Sequence, residues 1–318
     1  MTNAGSGATR NGPWRRFRRN RPACWSGAFL LGLFLSVLAW PASLQLARIY
    51  GEKPAQFAQR YAPDRVSDQQ FLRPSMSHPF GTDLHGRDLF SRALYGAQVS
   101  ILVGVVGAAV SLLIGTLWGA TAGYLGGKID NALMRFVDIL YSMPSLILVI
   151  VLITTFESAV GDLFEARGAL SLSNTSRILL LVLGLGSVSW LNMARIVRGQ
   201  VLSLRQRPFV EASRTLGAGT PHILARHILP NTAGVILTCL TLTIPAVMLY
   251  ESFLSYLGLG IQPPMASWGS LIAEGADQIN PLRIYWWLIL FPGGLLVSTL
   301  VALSFLTDGI RDAWEVRT

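Results

Sequence analysis

Four places in the sequence hold residues whose types and spacing could do chemistry. His78, Asp83, His85 and Asp88 crowd one short stretch and could be read as metal ligands. Their spacing fits no strong metal motif, and Gly81-Thr82-Asp83 reads as a turn into a helix, so no metal site is expected. Asp138 and Glu251 are acids inside otherwise apolar runs. An acid at mid-bilayer costs roughly 2.5–3.5 kcal/mol on insertion scales, so each must face protein or water. Proton-coupled carriage would call for acids or histidines deeper in the runs. The lysines are Lys53 and Lys128, and "GGKID" around Lys128 lacks both the following Ser/Thr and the glycine spacing of a phosphate-binding loop. No G-x-S-x-G nucleophile pattern occurs, so catalytic residues are not expected. The fourth place is "EASRTLGAGTPHILARHILPN", residues 211–231, a polar stretch with a glycine break between two hydrophobic runs.

The elements that must position these residues follow from composition. Of 318 residues, 51% are hydrophobic and 14% charged, and the mean hydropathy is +0.46. Soluble domains carry about 25% charged residues. The deficit lies in apolar runs near 26–47, 99–124, 137–156, 178–194, 233–257 and 284–307. A helix needs roughly 20 apolar residues to cross a bilayer. The runs are continuous, whereas barrel strands alternate. An all-α integral membrane protein with six transmembrane helices is therefore expected.

"SGAFLLGLFLSVLAWPA" after an arginine cluster could be the apolar core of a cleaved signal peptide. Its extension to Ala47 without a charge favours an uncleaved span. The arginines place the N-terminus in the cytoplasm, and six crossings return the C-terminus there. The expected layout is a basic tail over 1–25, a first span over 26–47 and an extracytoplasmic segment over 48–98. A five-span core follows over 99–307 with a cytoplasmic loop at 195–232, then a tail over 308–318. That loop carries Arg195, Arg198, Arg205, Arg207, Arg214 and Arg226 against Glu211. The net charge of +9 thus reflects topology beside anionic membrane lipid and needs no nucleic acid. Cys24 and Cys239 are too few and too separated for a disulfide framework.

Gly107, Ser111, Gly115, Gly119 and Gly123 line one face of the second run. Small residues at this spacing let another backbone approach. They suit either a helix sliding along a translocation path or ordinary tight packing. Pro41, Pro144, Pro245 and Pro292 predict kinks in four spans. No internal repeat suggests duplicated carrier halves.

Within 211–231, Arg207-Pro208 precedes a helix through Glu211, Ala212 and Leu216, and Gly217-Ala218-Gly219 breaks it. Thr220 can cap a second helix with Pro221 first, left near Pro230. A DNA-binding helix–turn–helix shares this outline, but tethering between two spans argues against it. The remaining readings are an interfacial linker or a docking element for a soluble partner.

Here the sequence resembles the permeases of ABC importers. Glu211, Ala212, Gly217, Leu229 and Pro230 keep the spacing of their cytoplasmic signature, while Ser213 and His227 depart from it. "HPFGTDLHGRDLFSRALYGAQVSILVG" at 78–104 and "ESFLSYLGLGIQPPMASWGSLI" at 251–272 are similar to segments of the dipeptide/oligopeptide branch. The resemblance runs from about 78 to the C-terminus.

It implies the type I importer permease fold in a bacterial inner membrane and no catalysis on this chain. It also implies a homologous permease subunit, two ATPase subunits holding ATP and Mg, and an extracytoplasmic substrate-binding protein. Glu211, Ala212, Ser213 and Gly217 would form the docking turn, with His227, Leu229 and Pro230 fixing its exit. Glu251, Gly258, Gly260 and Trp268 would belong to an outer gate or a binding-protein contact. A secondary carrier without ATP, and import of nickel or another solute by the same architecture, are the alternatives.

Overall fold

The structure, a computed structural model, describes residues 17–50, 52–165 and 174–314. The expected tails at 1–16 and 315–318 lie outside the described residues. α1 spans Arg21–Ile49, capped by the Asn20 side chain, which accepts from the Ala23 amide at 3.3 Å. α2 spans Glu52–Arg60, and α3 runs through Leu89–Leu125. α4 and α5 are Gly127–Tyr141 and Ser145–Glu165. α6 is Asn174–Leu204, followed by α7, Pro208–Thr215, and α8, Thr220–Ile223. A π-helical turn over Leu224–Ile228 feeds α9, Leu229–Tyr256. α10 is Trp268–Ala276 and α11 is Trp287–Trp314.

α3 and α6 form the central pair, with α9 beside both, α5 against α6, and α1 paired with α11 on one flank. The small-residue face of α3 makes the central pair possible. A Cβ on Gly115 would stand 2.6 Å from the Met193 Cβ, and one on Gly123 2.8 Å from the Arg198 carbonyl. On Gly119 it would strike the Ala194 backbone. At these three glycines the face is thus occupied by α6, whose backbone approaches as closely as small residues permit. Gly119→Leu is expected to lower the melting temperature in detergent, because overpacking against backbone costs about 1–3 kcal/mol. Gly199 on α6 faces open space. Gly199→Ala should leave the melting temperature unchanged or slightly raised, and an equal response of the two variants would contradict this packing.

The third apolar run is not one straight span. α4 and α5 meet at 91°, with Pro144 at the break denying the preceding residue a helical conformation. α4 carries Lys128, Asp130, Asn131, Arg135 and Asp138, so the polar residues of this region sit before the bend and the continuous apolar run after it, from Ser145. Two further boundaries differ from expectation. α3 starts at Leu89 and so takes in the last ten residues of the expected extracytoplasmic segment, under an Asp88 cap that accepts from the Ser91 amide at 2.9 Å. α6 continues to Leu204, which places Arg195 and Arg198 on the helix rather than in the loop.

The two ends of the bundle are distinct. At one, Asn20 Nδ2 reaches Asp312 Oδ2 at 3.4 Å, so the start of α1 and the close of α11 share the end where α3 finishes and α7 lies. At the other, α2, the irregular segment 61–88 and α10 form a cap. There Trp40 Nε1 donates to Ser91 Oγ at 3.1 Å, Phe80 stacks on Phe291 at 4.2 Å, and Phe71 stacks on Tyr285 at 4.1 Å.

Candidate functional site

At the α7 end, the loop between α6 and α9 has an inner face bolted to three long helices. Val210, Ile223 and Ile228 are buried against Tyr124, Met193, Val197, Val201 and Cys239. Arg205 Nη1 donates to the carbonyls of Gly123 and Tyr124 at 3.2 and 3.1 Å. Those carbonyls end α3, where helix geometry leaves acceptors unpaired and favours a cation. Arg214 Nη2 donates to the Tyr124 hydroxyl at 3.3 Å, and its guanidinium lies 5.6 Å over that ring. These contacts fix the loop to α3, α6 and α9.

The signature residues divide between the two faces. Ser213 Oγ lies 3.2 Å from His227 Nε2 and also donates to the Phe209 carbonyl at 3.0 Å. The hydroxyl has one proton, so when it serves Phe209 the imidazole Nε2 carries the proton and donates to serine. The two positions that depart from the signature thus hold each other, while Leu229, half-buried, starts α9. Pro230 sits in the first turn of α9 rather than after a separate helix; the π turn at Leu224–Ile228 joins the two. Glu211, Ala212, Gly217 and Pro230 face outward. Gly217 adopts φ +83°, a turn that a side chain would strain. Beside it Leu216 is 87% exposed. Sequence reasoning took Leu216 for a helix residue and missed it as the tip of the knob. The available signal was an apolar residue directly before the glycine turn.

On α4, Asp138 is paired rather than isolated. It is 62% exposed and meets Arg195 Nη2 at 2.7 Å, and Arg195 in turn lies 4.0 Å over the Tyr141 ring. Asp130 takes a two-pronged contact from Arg198, at 2.5 and 2.7 Å. These pairs pin α4 to α6.

At the capped end, Glu251 is wholly buried. Its Oε1 accepts from Ser255 Oγ at 2.8 Å, and its Oε2 accepts from Ser100 Oγ at 3.0 Å and Ser252 Oγ at 3.4 Å. Two of these hydroxyls pass the connection on: Ser100 Oγ accepts from the Trp268 amide at 3.2 Å, and Ser255 Oγ from the Ile261 amide at 3.1 Å. Trp268, also fully buried, donates Nε1 to the Ala93 carbonyl at 3.0 Å. Glu251 faces protein, as its cost requires, and ties α9 to α3 and α10. Being buried, Glu251 and Trp268 offer a partner no surface in this structure. Gly260 is buried against Ser255, and Gly258, at φ +78°, forms an exposed tip at this end with Leu257 and Leu259.

A charge network that sequence reasoning missed closes the same cap. Arg92, 1% exposed, donates to Asp83 Oδ2 at 2.7 Å and to both Glu274 oxygens at 2.5 and 2.9 Å. Arg87 Nε reaches Asp83 Oδ2 at 2.7 Å. Of the residues weighed as metal ligands, Asp83 pairs with these arginines, and His78 Nδ1 lies 2.8 Å from Asp88 Oδ1. The partner Glu274 lies far along the chain, and only its acidic character hinted at the pairing.

Comparison with known proteins agrees with this geometry. The chain is 40% identical over 303 residues to the dipeptide transport system permease protein DppC of Bacillus subtilis, covering 95% of this chain and 84% of that protein. It is 42% identical over 301 residues to the oligopeptide transport system permease protein OppC of Escherichia coli K12, covering 95% and 89%. A chain of the methionine ABC transporter MetNI in an inward-facing form superposes with a TM-score of 0.50 at 21% identity, over 71% of this chain and 97% of that one, and so shares the fold. Residues 115–318, more than half of the chain and including the whole bolted loop, match the family described as binding-protein-dependent transport system inner membrane component, and the chain belongs to that family.

Proposed function

We propose that this chain is one of the two permease subunits of an ATP-driven importer of dipeptides and oligopeptides in a bacterial inner membrane. In this reading its partners are a homologous permease subunit, two ATPase subunits that hold ATP and Mg, and an extracytoplasmic substrate-binding protein. The loop at 205–230 lies on the cytoplasmic side, with the arginine-rich stretches and both termini, and the α10 cap lies outside. ATP hydrolysis on the partner moves the knob at Leu216 and Gly217, and the buried inner face carries that motion into α3, α6 and α9. The observation that carries the reading is this division of the loop into an apolar tip with no covering and a base locked to three helices. The similarity to DppC and OppC supports peptides as cargo over other solutes.

Uptake of a radiolabelled alanine tripeptide by cells expressing the complete transporter tests the reading. Uptake should stop when ATP is depleted and continue when the proton gradient alone is collapsed. The reverse pattern would indicate a secondary carrier. ATP-dependent uptake of labelled nickel without uptake of any peptide would retain the architecture and replace the cargo.

A further inference from the structure

Beneath the α4–α5 bend lies a hollow of about 440 Å³, walled by that bend, by α6 and by α9. No Asp, Glu, Lys, Arg or His lines it. Its polar groups are Tyr141, Ser145, Ser189, Asn192, Thr243 and Tyr250. Asn192 sits at the middle of the candidate span Ile178–Leu204, is exposed, and its carboxamide has no hydrogen-bond partner among the described residues. The Tyr250 hydroxyl is likewise unpaired among them. A bare carboxamide at that depth is unfavourable against hydrocarbon and needs water, protein or cargo to bond it. Ser189 and Thr243 donate to the carbonyls of Leu185 and Cys239, at 2.9 and 2.7 Å, which leaves their oxygens free to accept.

The geometry points to this hollow as a cargo station that reads the amide backbone of a passing peptide and ignores its side chains. The inference rests on the peptide-importer reading above. A carboxamide both donates and accepts, as a peptide bond does, so Asn192 can match one amide unit while the hydroxyls of Ser189 and Thr243 accept from its neighbours. With no fixed charge in the wall, neither acidic nor basic side chains are selected, and neither peptide terminus is trapped. Thioethers of Met143 and Met193 and the aliphatic Leu242 supply a wall that adapts to side chains of different shape. Weak neutral contacts also suit a path, because a site that is crossed must release what it binds.

The test uses the complete transporter with its partner subunits, reconstituted in vesicles. A diazirine-bearing alanine tripeptide illuminated during turnover should label the native chain within 140–145, 188–196 and 239–250. Labelling elsewhere on the chain, with none in these stretches, overturns the proposal. So does labelling there that persists unchanged without ATP and binding protein, since that marks an ordinary lipid-facing hollow. In parallel, Asn192→Leu should cut uptake of tripeptides of alanine, glutamate and lysine alike by about tenfold, the rate cost of one hydrogen bond to the cargo. ATP hydrolysis should stay at the native level, and Asn192→Gln should recover uptake. Native uptake by Asn192→Leu overturns the role of Asn192, and a joint loss of uptake and hydrolysis overturns it equally by marking a packing residue. If the native transporter imports no tripeptide at all, the peptide reading itself fails. If only the variants and the labelling disagree with expectation, the station alone fails.

Discussion

Leu216→Asp is expected to abolish peptide uptake while leaving the amount of chain in the membrane unchanged. The side chain is 87% exposed and stands beside the left-handed turn at Gly217, so its loss removes almost no contact within the fold. Exposed substitutions away from special features usually stay within about 0.5 kcal/mol of neutral. An apolar side chain held out beside a turn is instead placed to fill a pocket on a partner, the arrangement in which a single side chain counts most. Truncating such an anchor costs about 2–4 kcal/mol, a roughly 30- to 1,000-fold loss of affinity, and a carboxylate placed in an apolar groove adds a desolvation cost. Uptake assays and membrane immunoblots together check this. Normal uptake by Leu216→Asp would remove the tip from the docking role. The inner face should respond in the opposite way. Val210 is fully buried, so Val210→Asp should deplete the chain itself from the membrane.

At the other end of the bundle, Arg92→Met is expected to destabilise the protein severely. Removing one partner of a buried ion pair costs about 3–5 kcal/mol, because the other charge stays buried without compensation. Here two features moderate the loss. Glu274 is 34% exposed and can regain water, and Asp83 keeps Arg87. The cost therefore falls at the lower end of that range, still a large share of a folding stability of roughly 5–15 kcal/mol. The melting temperature in detergent should drop clearly, and Arg92→Met combined with Glu274→Leu should recover part of the drop, since a matched apolar pair leaves no orphan charge. A double variant worse than the single one would show that the network does more than balance charge.

Much of the architecture was legible in the sequence, because continuous apolar runs leave a spanning helix few competitors. The stripe of Gly107, Gly115, Gly119 and Gly123 announced a close helix contact without naming its partner. The partners, α6 at Gly115, Gly119 and Gly123 and α9 at Gly107, are set by tertiary packing. The bend at Pro144 was read as a kink in a span because hydropathy averages over it. The charged face of α4 was the better guide, since Asp130, Arg135 and Asp138 cannot all be sheltered in lipid. The early start of α3 was hidden for a related reason. Arg92, Tyr95 and Gln98 look unfit for a span, yet Arg92 is neutralised by Glu274, a pairing between residues remote in sequence. In the loop, the fixed spacing from Glu211 to Pro230 marked the element proposed here to dock, but spacing alone could not separate the residues that face outward from Ser213 and His227, which hold each other. Glu251 was recognised as needing a partner, and its partners turned out to be three serines, a residue type whose hydroxyls are too common to single out beforehand.

The most direct test of the docking claim is retention of an ATPase. The tagged native chain and Leu216→Asp would be purified in parallel from the native membrane in mild detergent and the bound proteins identified. The account predicts that the native chain holds an ATPase with a phosphate-binding loop and that Leu216→Asp, inserted at the same level, loses it while keeping the homologous permease subunit. An ATPase retained equally by both chains, or held by neither across several mild detergents, would contradict it.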